Sequence, residues 1–267
     1  MSFHSPISNN NPEPNNRELL TFLAMVIGSI VLVFWLLSLL INNIINWIPV
    51  GVEQKLGSLI VPTYEQQAEK SAIQDKLNKL LDGLEKQLPQ GEKYSRDYQV
   101  LYLPESTVNA LAIPGDTIII YQGLLDDVES ENELTMILGH ELGHFANRDH
   151  LRGLGNFLLV RIIISSFFGD LGSLQSAVDF GNAIANSQFS QKQESQADEF
   201  GLNLLYKYYN HVGGSTDFFQ RLSKEINLNI AFLSTHPSPQ KRVKKINQLI
   251  EQNKYPIEAT KNLEFTN

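Results

Sequence analysis

Two histidines and a glutamate lie close together in the run His140-Glu141-Leu142-Gly143-His144. On a helix, residues four apart sit one turn apart on the same face, so both imidazoles can reach a single cation. Glu141 is rotated by about 100° from His140, which sets its carboxylate beside that cation and not on it. There it can take a proton from a water activated by the metal and later pass it to a leaving amine. The chemistry offered by this HExxH spacing is hydrolysis with a zinc-activated water.

Zinc needs a third protein ligand. His150 stands six residues after His144, the HExxHxxxxxH spacing of metzincins. Those proteins have Gly where Asn147 stands, and a methionine turn downstream. The methionines here are Met1, Met25 and Met136, none of which follows the motif. Glu194, in Glu194-Ser195-Gln196-Ala197-Asp198, is the better candidate. It shares a helical face with Asp198, so one carboxylate can ligate while the other accepts a histidine ring N–H and fixes its tautomer. Small Ser195 and Ala197 allow this helix, expected over 190–208, to approach the HExxH helix closely.

Elements must hold these residues. Ser130 and Glu133 form the pattern of a capping box, and Leu134, Ile137 and Leu138 supply an apolar face, so a helix is expected from Glu131 to Ala146. Short strands are expected over 99–103, 109–113 and 117–121, the last two joined through Pro114-Gly115-Asp116. Ile73, Leu77, Leu80, Leu81, Leu84 and Leu88 recur at spacings of three and four, which predicts an amphipathic helix over 64–88, ended by Pro89 and Gly91. Beyond Gly123 the pattern is mostly helical. The apolar stretch 154–168 carries Arg161 at its centre, where a membrane would impose about 2.5 kcal/mol or more. It therefore reads as a buried or lid-forming helix beside the site. The Gly- and Ser-rich residues 169–186 read as a mobile flap.

Leu19 to Ile41 contains no charged residue. As a helix this run spans roughly 34 Å, enough for a hydrocarbon core of about 30 Å. Trp35 and Trp47 bracket its C-terminal end, and no small-x-small cleavage site follows. The segment reads as a retained single-pass anchor, with the lipid bilayer as partner. Residues 1–18 read as a solvated tail, 42–62 as a linker, 63–255 as one peptidase domain and 256–267 as a C-terminal tail. A net charge of −8 argues against nucleic acid as a partner. The absence of cysteine excludes disulfides, thiol catalysis and cysteine zinc sites.

The chain resembles the membrane-associated zinc metallopeptidases that include the HtpX heat-shock protease, the Oma mitochondrial protease and the CAAX prenyl protease, metallopeptidase family forty-eight. The resemblance is carried by NALAIPGDTIIIYQGLL (109–125), ENELTMILGHELGHFANRDH (131–150), ESQAD (194–198) and THPSPQKRV (235–243). It implies an α+β, mainly helical zincin-like domain with a small sheet, behind one membrane helix. It implies one Zn²⁺ per chain held by His140, His144 and Glu194, with Glu141 as catalytic base and Asp198 supporting a ligand. By the same resemblance His236 stabilises an oxyanion or latches the open metal position, and Arg242 orients substrate or pairs with a carboxylate. Asn109, Ala110, Leu111 and Ala112 resemble the edge strand along which an extended polypeptide substrate is laid. The implied activity is endopeptidase hydrolysis of misfolded or membrane-associated proteins. The alternative is a zinc-dependent, chaperone-like binder of unfolded chains with little turnover. A single N-terminal anchor suggests a bacterial-type inner membrane with the catalytic domain outside the cytoplasm.

Overall fold

A computed structural model describes residues 15–89, 96–168, 187–224 and 231–263. The expected flap over 169–186 lies outside the described residues, as does the tail before residue 15. The chain is mainly helical with a small sheet. Helix α1 (Asn16–Ile44) runs into a 3-10 turn (Ile45–Trp47) and is followed by α2 (Val50–Glu65) and α3 (Ala72–Glu85). Then come β1 (Gln99–Leu103), β2 (Ala110–Ile113), β3 (Thr117–Tyr121) and the short α4 (Gln122–Asp127). The remaining helices are α5 (Glu131–Ala146), α6 (Asp149–Phe168), α7 (Gln191–Tyr209), α8 (Asp217–Leu222), α9 (Ala231–Thr235) and α10 (Pro239–Asn253).

The strand order is β1-β3-β2, with β1 parallel and β2 antiparallel to β3. Both faces are covered, which is why the strands read as unbroken apolar runs and not as alternation. Val100, Tyr102, Ala110, Ala112, Ile118 and Ile120 join the large core with α3, α5 and α7. Leu101, Leu103, Leu111, Ile113 and Ile119 turn the other way, onto Ile60, Val61 and Tyr64 of α2.

That division explains a correction. The amphipathic pattern over 64–88 is not one helix: α2 ends at Glu65 and α3 starts at Ala72, with the Ser71 hydroxyl accepting from Gln74 N. The two helices serve opposite faces of the sheet, so the chain must pass round its β1 edge between them, where Glu69 N donates to Tyr102 O at 3.0 Å. A continuous helix cannot make that crossing. The stretch read as a linker over 42–62 is likewise largely helical. Gly57 of α2 touches Gly115 in the β2–β3 turn so closely that a Cβ on Gly57 would lie 2.2 Å from Gly115 Cα. Gly115 also needs its positive φ of 93°.

Helix α2 carries a buried charge. Glu53 is fully buried and accepts from Arg96 Nη1 and Nη2 at 2.8 and 2.7 Å and from His150 at 2.7 Å, while Arg96 also pairs with Asp116. Burial pushes the Glu53 carboxyl up, but hydrogen bonds from His150 and Arg96 outweigh it and bring it down to about 2. A depressed carboxyl contributes stability above its ordinary value of 4.5, and this is lost as pH falls towards 2. Glu53→Ala removes the carboxylate shared by buried Arg96 and His150 and leaves Arg96 with Asp116 alone, and is expected to destabilise the protein by about 3–5 kcal/mol at neutral pH. Urea unfolding of the detergent-solubilised chain at pH 7 and at pH 3 checks this, with the deficit shrinking at the lower pH.

Residues 256–263 are no free tail. Glu131 N donates to Lys261 O, Lys261 N donates to Asn132 Oδ1, and Val212 N donates to Pro256 O. The segment thus satisfies an orphan first-turn amide of α5. Ser130 caps Glu133 N as expected, but the reciprocal half of the box is absent. The Glu133 carboxylate instead accepts from Glu129 N and from Arg221.

Among the described residues one helix is long and apolar enough to cross a membrane: Asn16–Trp47, of mean hydropathy 2.7 and with its apolar window unburied. Its C-terminal end is clamped to the domain. Arg148 donates to Ile45 O and Ile48 O, and Arg152 donates to Asn42 O and Asn46 Oδ1. Gly155 of α6 lies against Ile41. The 154–168 stretch belongs to this α6, with Leu154 and Leu159 buried.

Candidate metal centre

Helices α5 and α7 carry the motif residues and pack along their lengths. Their contact is made by small residues. A Cβ on Gly139 would lie 2.9 Å from Gly201 Cα, and one on Gly143 would lie 2.7 Å from Ala197 Cα. Backbones this close leave the longer side chains beside the contact, His140, His144, Glu194 and Asp198, facing each other across the joint.

The ligand atoms of His140, His144, Glu194 and His236 lie within 4.8 Å of one another, and all four residues are buried. His140 Nε2 is 3.0 Å from His144 Nε2 and 3.1 Å from His236 Nδ1. Glu194 Oε1 is 3.1 Å from His236 Nδ1 and 3.5 Å from His144 Nε2. Donors at zinc bond lengths in a tetrahedron stand about 3.3 Å apart, so these separations match what zinc requires. Both Glu141 oxygens are buried without a hydrogen-bond partner. Unpaired acceptors in such a place are costly unless a cation stands among them. Two or three imidazoles with one carboxylate suit zinc.

Around these atoms lies a shell of charge. Asp198 Oδ1 stands 3.0 Å from His140 Nδ1, and its two oxygens accept from Arg242 Nη2 at 2.6 Å and Nε at 3.0 Å. Arg242 Nη1 lies 3.0 Å from Glu194 Oε2, and the guanidinium sits 4.0 Å above the Phe219 ring. Arg242 is buried, so it is not a solvated helix charge. Burial pushes the Glu194 carboxyl up, but Arg242 and His236 outweigh that and hold it well below the carboxylate range. Burial lowers His140 to about 4, aided by Arg242. For His144 burial also works downward, yet hydrogen bonds to Asp149 and Glu194 prevail and lift it to about 10.

The fold brings His140, Glu141, His144, Glu194, Asp198, His236 and Arg242 into one buried cluster. His150 is elsewhere, paired with Glu53. Asn109 precedes strand β2: its carbonyl accepts from Tyr121 N and its side chain accepts from Ala110 N. Ala110, Leu111 and Ala112 lie in β2, at a sheet edge. The 109–121 hydrogen bond sets the alternation, so Ala110 and Ala112 turn their peptide groups away from β3. At the opposite edge Gln74 and Asn78 of α3 cap the outward amides of Tyr102 and Val100.

Sequence reasoning passed over Asp149, whose Oδ2 is 2.9 Å from His144 Nδ1, and Phe189, stacked on the His144 ring at 4.0 Å. Asp149 does stand five residues after His144, but no helical period selects it, because the chain turns between α5 and α6 through Arg148 at a φ of 56°. A cavity of about 690 Å³ adjoins this side of the cluster. Asp149, Phe189 and Gln193 line it towards the cluster, and Asn42, Asn46 and Arg152 line it at the end of α1.

Metalloprotease LoiP of Escherichia coli is 33% identical over 145 residues, covering 52% of this chain and 57% of LoiP. The mitochondrial metalloendopeptidase OMA1 of Arabidopsis thaliana is 31% identical over 156 residues, covering 57% of this chain and 31% of OMA1. Metalloprotease YcaL of Escherichia coli is 30% identical over 155 residues, covering 56% and 61% respectively. The chain thus spans between about a third and three-fifths of these relatives. The model of peptidase family M48 matches residues 67–250, well over half of the chain, and the chain belongs to that family.

Proposed function

We propose that the protein is a membrane-anchored zinc metalloendopeptidase acting on polypeptides presented as extended strands. The observation that carries this reading is the buried convergence of His140, His144 and Glu194, with Glu141 beside them and both its oxygens unpaired. Those three residues would hold a zinc ion, which would supply Lewis acidity and an activated water at neutral pH. Glu141 would serve as general base towards the attacking water and as general acid towards the leaving amine. His236 presents Nδ1 to the same point as the three ligands, the disposition of a latch on the fourth position, and its withdrawal admits substrate. Substrate pairs with the outward carbonyl of Ala110 and the outward peptide groups of Ala112, next to Asn109 and Leu111, as an added strand. Helix α1 spans the bilayer, so misfolded or membrane-associated proteins are the substrates within reach, on the extracytoplasmic side of a bacterial-type inner membrane.

The test is zinc content and casein cleavage by the full chain in detergent. Chelation is expected to abolish cleavage, and one equivalent of zinc to restore it. Because His144 is raised to about 10 when metal-free, zinc must displace its proton. Affinity then weakens by about tenfold for each pH unit downward across the neutral range, a slope that chelator competition measures. Zinc bound without cleavage would point to a binder of unfolded chains, and a chain holding no metal would overturn the ligand set.

A further inference from the structure

We propose that Asp149 is a positioning residue for His144, and that Gln193 makes it one by occupying the other oxygen of the carboxylate. The inference rests on the metal-centre reading above and adds to it how one ligand is oriented.

Ser190 and Gln193 form the capping box of α7, with Gln193 Oε1 accepting from Ser190 N at 2.9 Å and from Ser190 Oγ at 2.8 Å. With its oxygen committed there, the Gln193 amide cannot be turned over, and Nε2 is the end that faces Asp149. It donates to Asp149 Oδ1 at 2.8 Å. That leaves Asp149 Oδ2 for His144 Nδ1, 2.9 Å away. An ionised carboxylate only accepts, so Nδ1 is the nitrogen that carries a proton. Nε2, the other nitrogen, is then the one that can offer a lone pair to a metal once its own proton is displaced, and it stands 3.0 Å from His140 Nε2 and 3.5 Å from Glu194 Oε1.

Nothing in this chain of bonds is exposed to exchange with water at its metal end, since His144 and Asp149 are both buried. Phe189 lies flat on the His144 ring and restrains its tilt. Arg152, 3.7 Å from Asp149 Oδ1, adds a cation on the outer side and is itself bonded to Asn42 O and Asn46 at the end of α1. Residue 193 is also the neighbour of Glu194, so the first turn of α7 provides one metal ligand and fixes the tautomer of another.

The experiment exploits hydrogen-bond polarity. An amide at position 149 has one accepting oxygen but meets two donors, His144 Nδ1–H and Gln193 Nε2–H. Asp149→Asn is therefore expected to weaken zinc binding by about 10–100-fold, read by chelator competition on the full chain. Gln193→Glu sets two carboxylates against each other and is expected to lose a similar factor. Together the two substitutions restore complementarity. The amide at 149 donates to the carboxylate at 193 and keeps its oxygen for His144, so the double variant is expected to recover at least about tenfold over either single one. The visible spectrum of the cobalt-substituted protein should change in the single variants and return in the double. Losses that merely add would overturn the proposal, as would single variants that bind zinc as tightly as the natural chain. If Asp149→Asn does not fold, Gln193→Leu asks the same question by freeing the carboxylate, and unchanged affinity there overturns the proposal. A natural chain without zinc would sink the metal-centre reading itself, which separates the two failures.

Discussion

Replacing Glu141 with Gln is expected to leave zinc in place and to slow peptide hydrolysis by about 10²–10⁴-fold, the usual contribution of a general base. The amide keeps the shape of the side chain and removes its basicity. Glu141 contributes no atom to the cluster of four ligand atoms, so the metal content should not change. Its nearest ionic neighbour is His236, with Nε2 3.7 Å from Glu141 Oε1. Zinc stoichiometry and kcat on a casein-derived peptide, measured on the same preparation, decide the matter. A variant that lost the metal would make Glu141 a ligand, and one that kept full activity would remove it from the reaction.

Arg242→Met should have a large effect on stability. The guanidinium is buried between Asp198 and Glu194, and burial alone would lower its pKa, but the two carboxylates outweigh that and raise it. In return it helps hold both carboxylates below their ordinary range, against their own burial. Removing it strands two buried anions, at a cost of about 3–5 kcal/mol. For a domain of this size that lowers the melting temperature by about 6–20 °C. Zinc on Glu194 compensates part of the stranded charge, so the deficit should be larger after chelation than before. The sign with pH follows from the depressed carboxylates. Their contribution is present above their ordinary values of 4.5 and 3.8 and fades as pH falls, so variant and natural chain should converge in acid. Melting curves with and without chelator at two pH values test this, and superimposed curves would refute it.

What could be read from the sequence was whatever repeats at a fixed spacing. The i, i+4 pairs His140–His144 and Glu194–Asp198, and the Ser130 cap, are local rules of a helix, and α5 runs over the expected residues, Glu131–Ala146. Of the small residues Ser195 and Ala197, expected to allow a close joint, Ala197 lies in it, against Gly143. Legibility failed where tertiary packing cut across a local pattern. The leucine periodicity that starts at Ile73 is intact in α3, yet the helix expected from residue 64 begins only at Ala72, because the chain first passes from one face of the sheet to the other. No local pattern singles out Glu53. Its partners Arg96 and His150 are 43 and 97 residues away in the chain, and no spacing rule connects them. The 256–263 segment has an unremarkable composition, and only the backbone pairing of Glu131 with Lys261 reveals where it goes.

The joint between α5 and α7 has a mechanical consequence. Where two helices meet through leucines or methionines, rotamer changes let them ride a little closer or farther apart. Here Gly139, Gly143, Ala197 and Gly201 bring main chain against main chain. Such a contact has no rotatable atoms to take up slack, and packed interiors compress little. The two helices must then move as one stiff body, so heat, pressure or a bound substrate cannot tune the distance between the histidine pair and Glu194 by repacking. Whatever adjustment the centre makes during turnover is confined to the torsions of a few side chains and to the loop that carries His236.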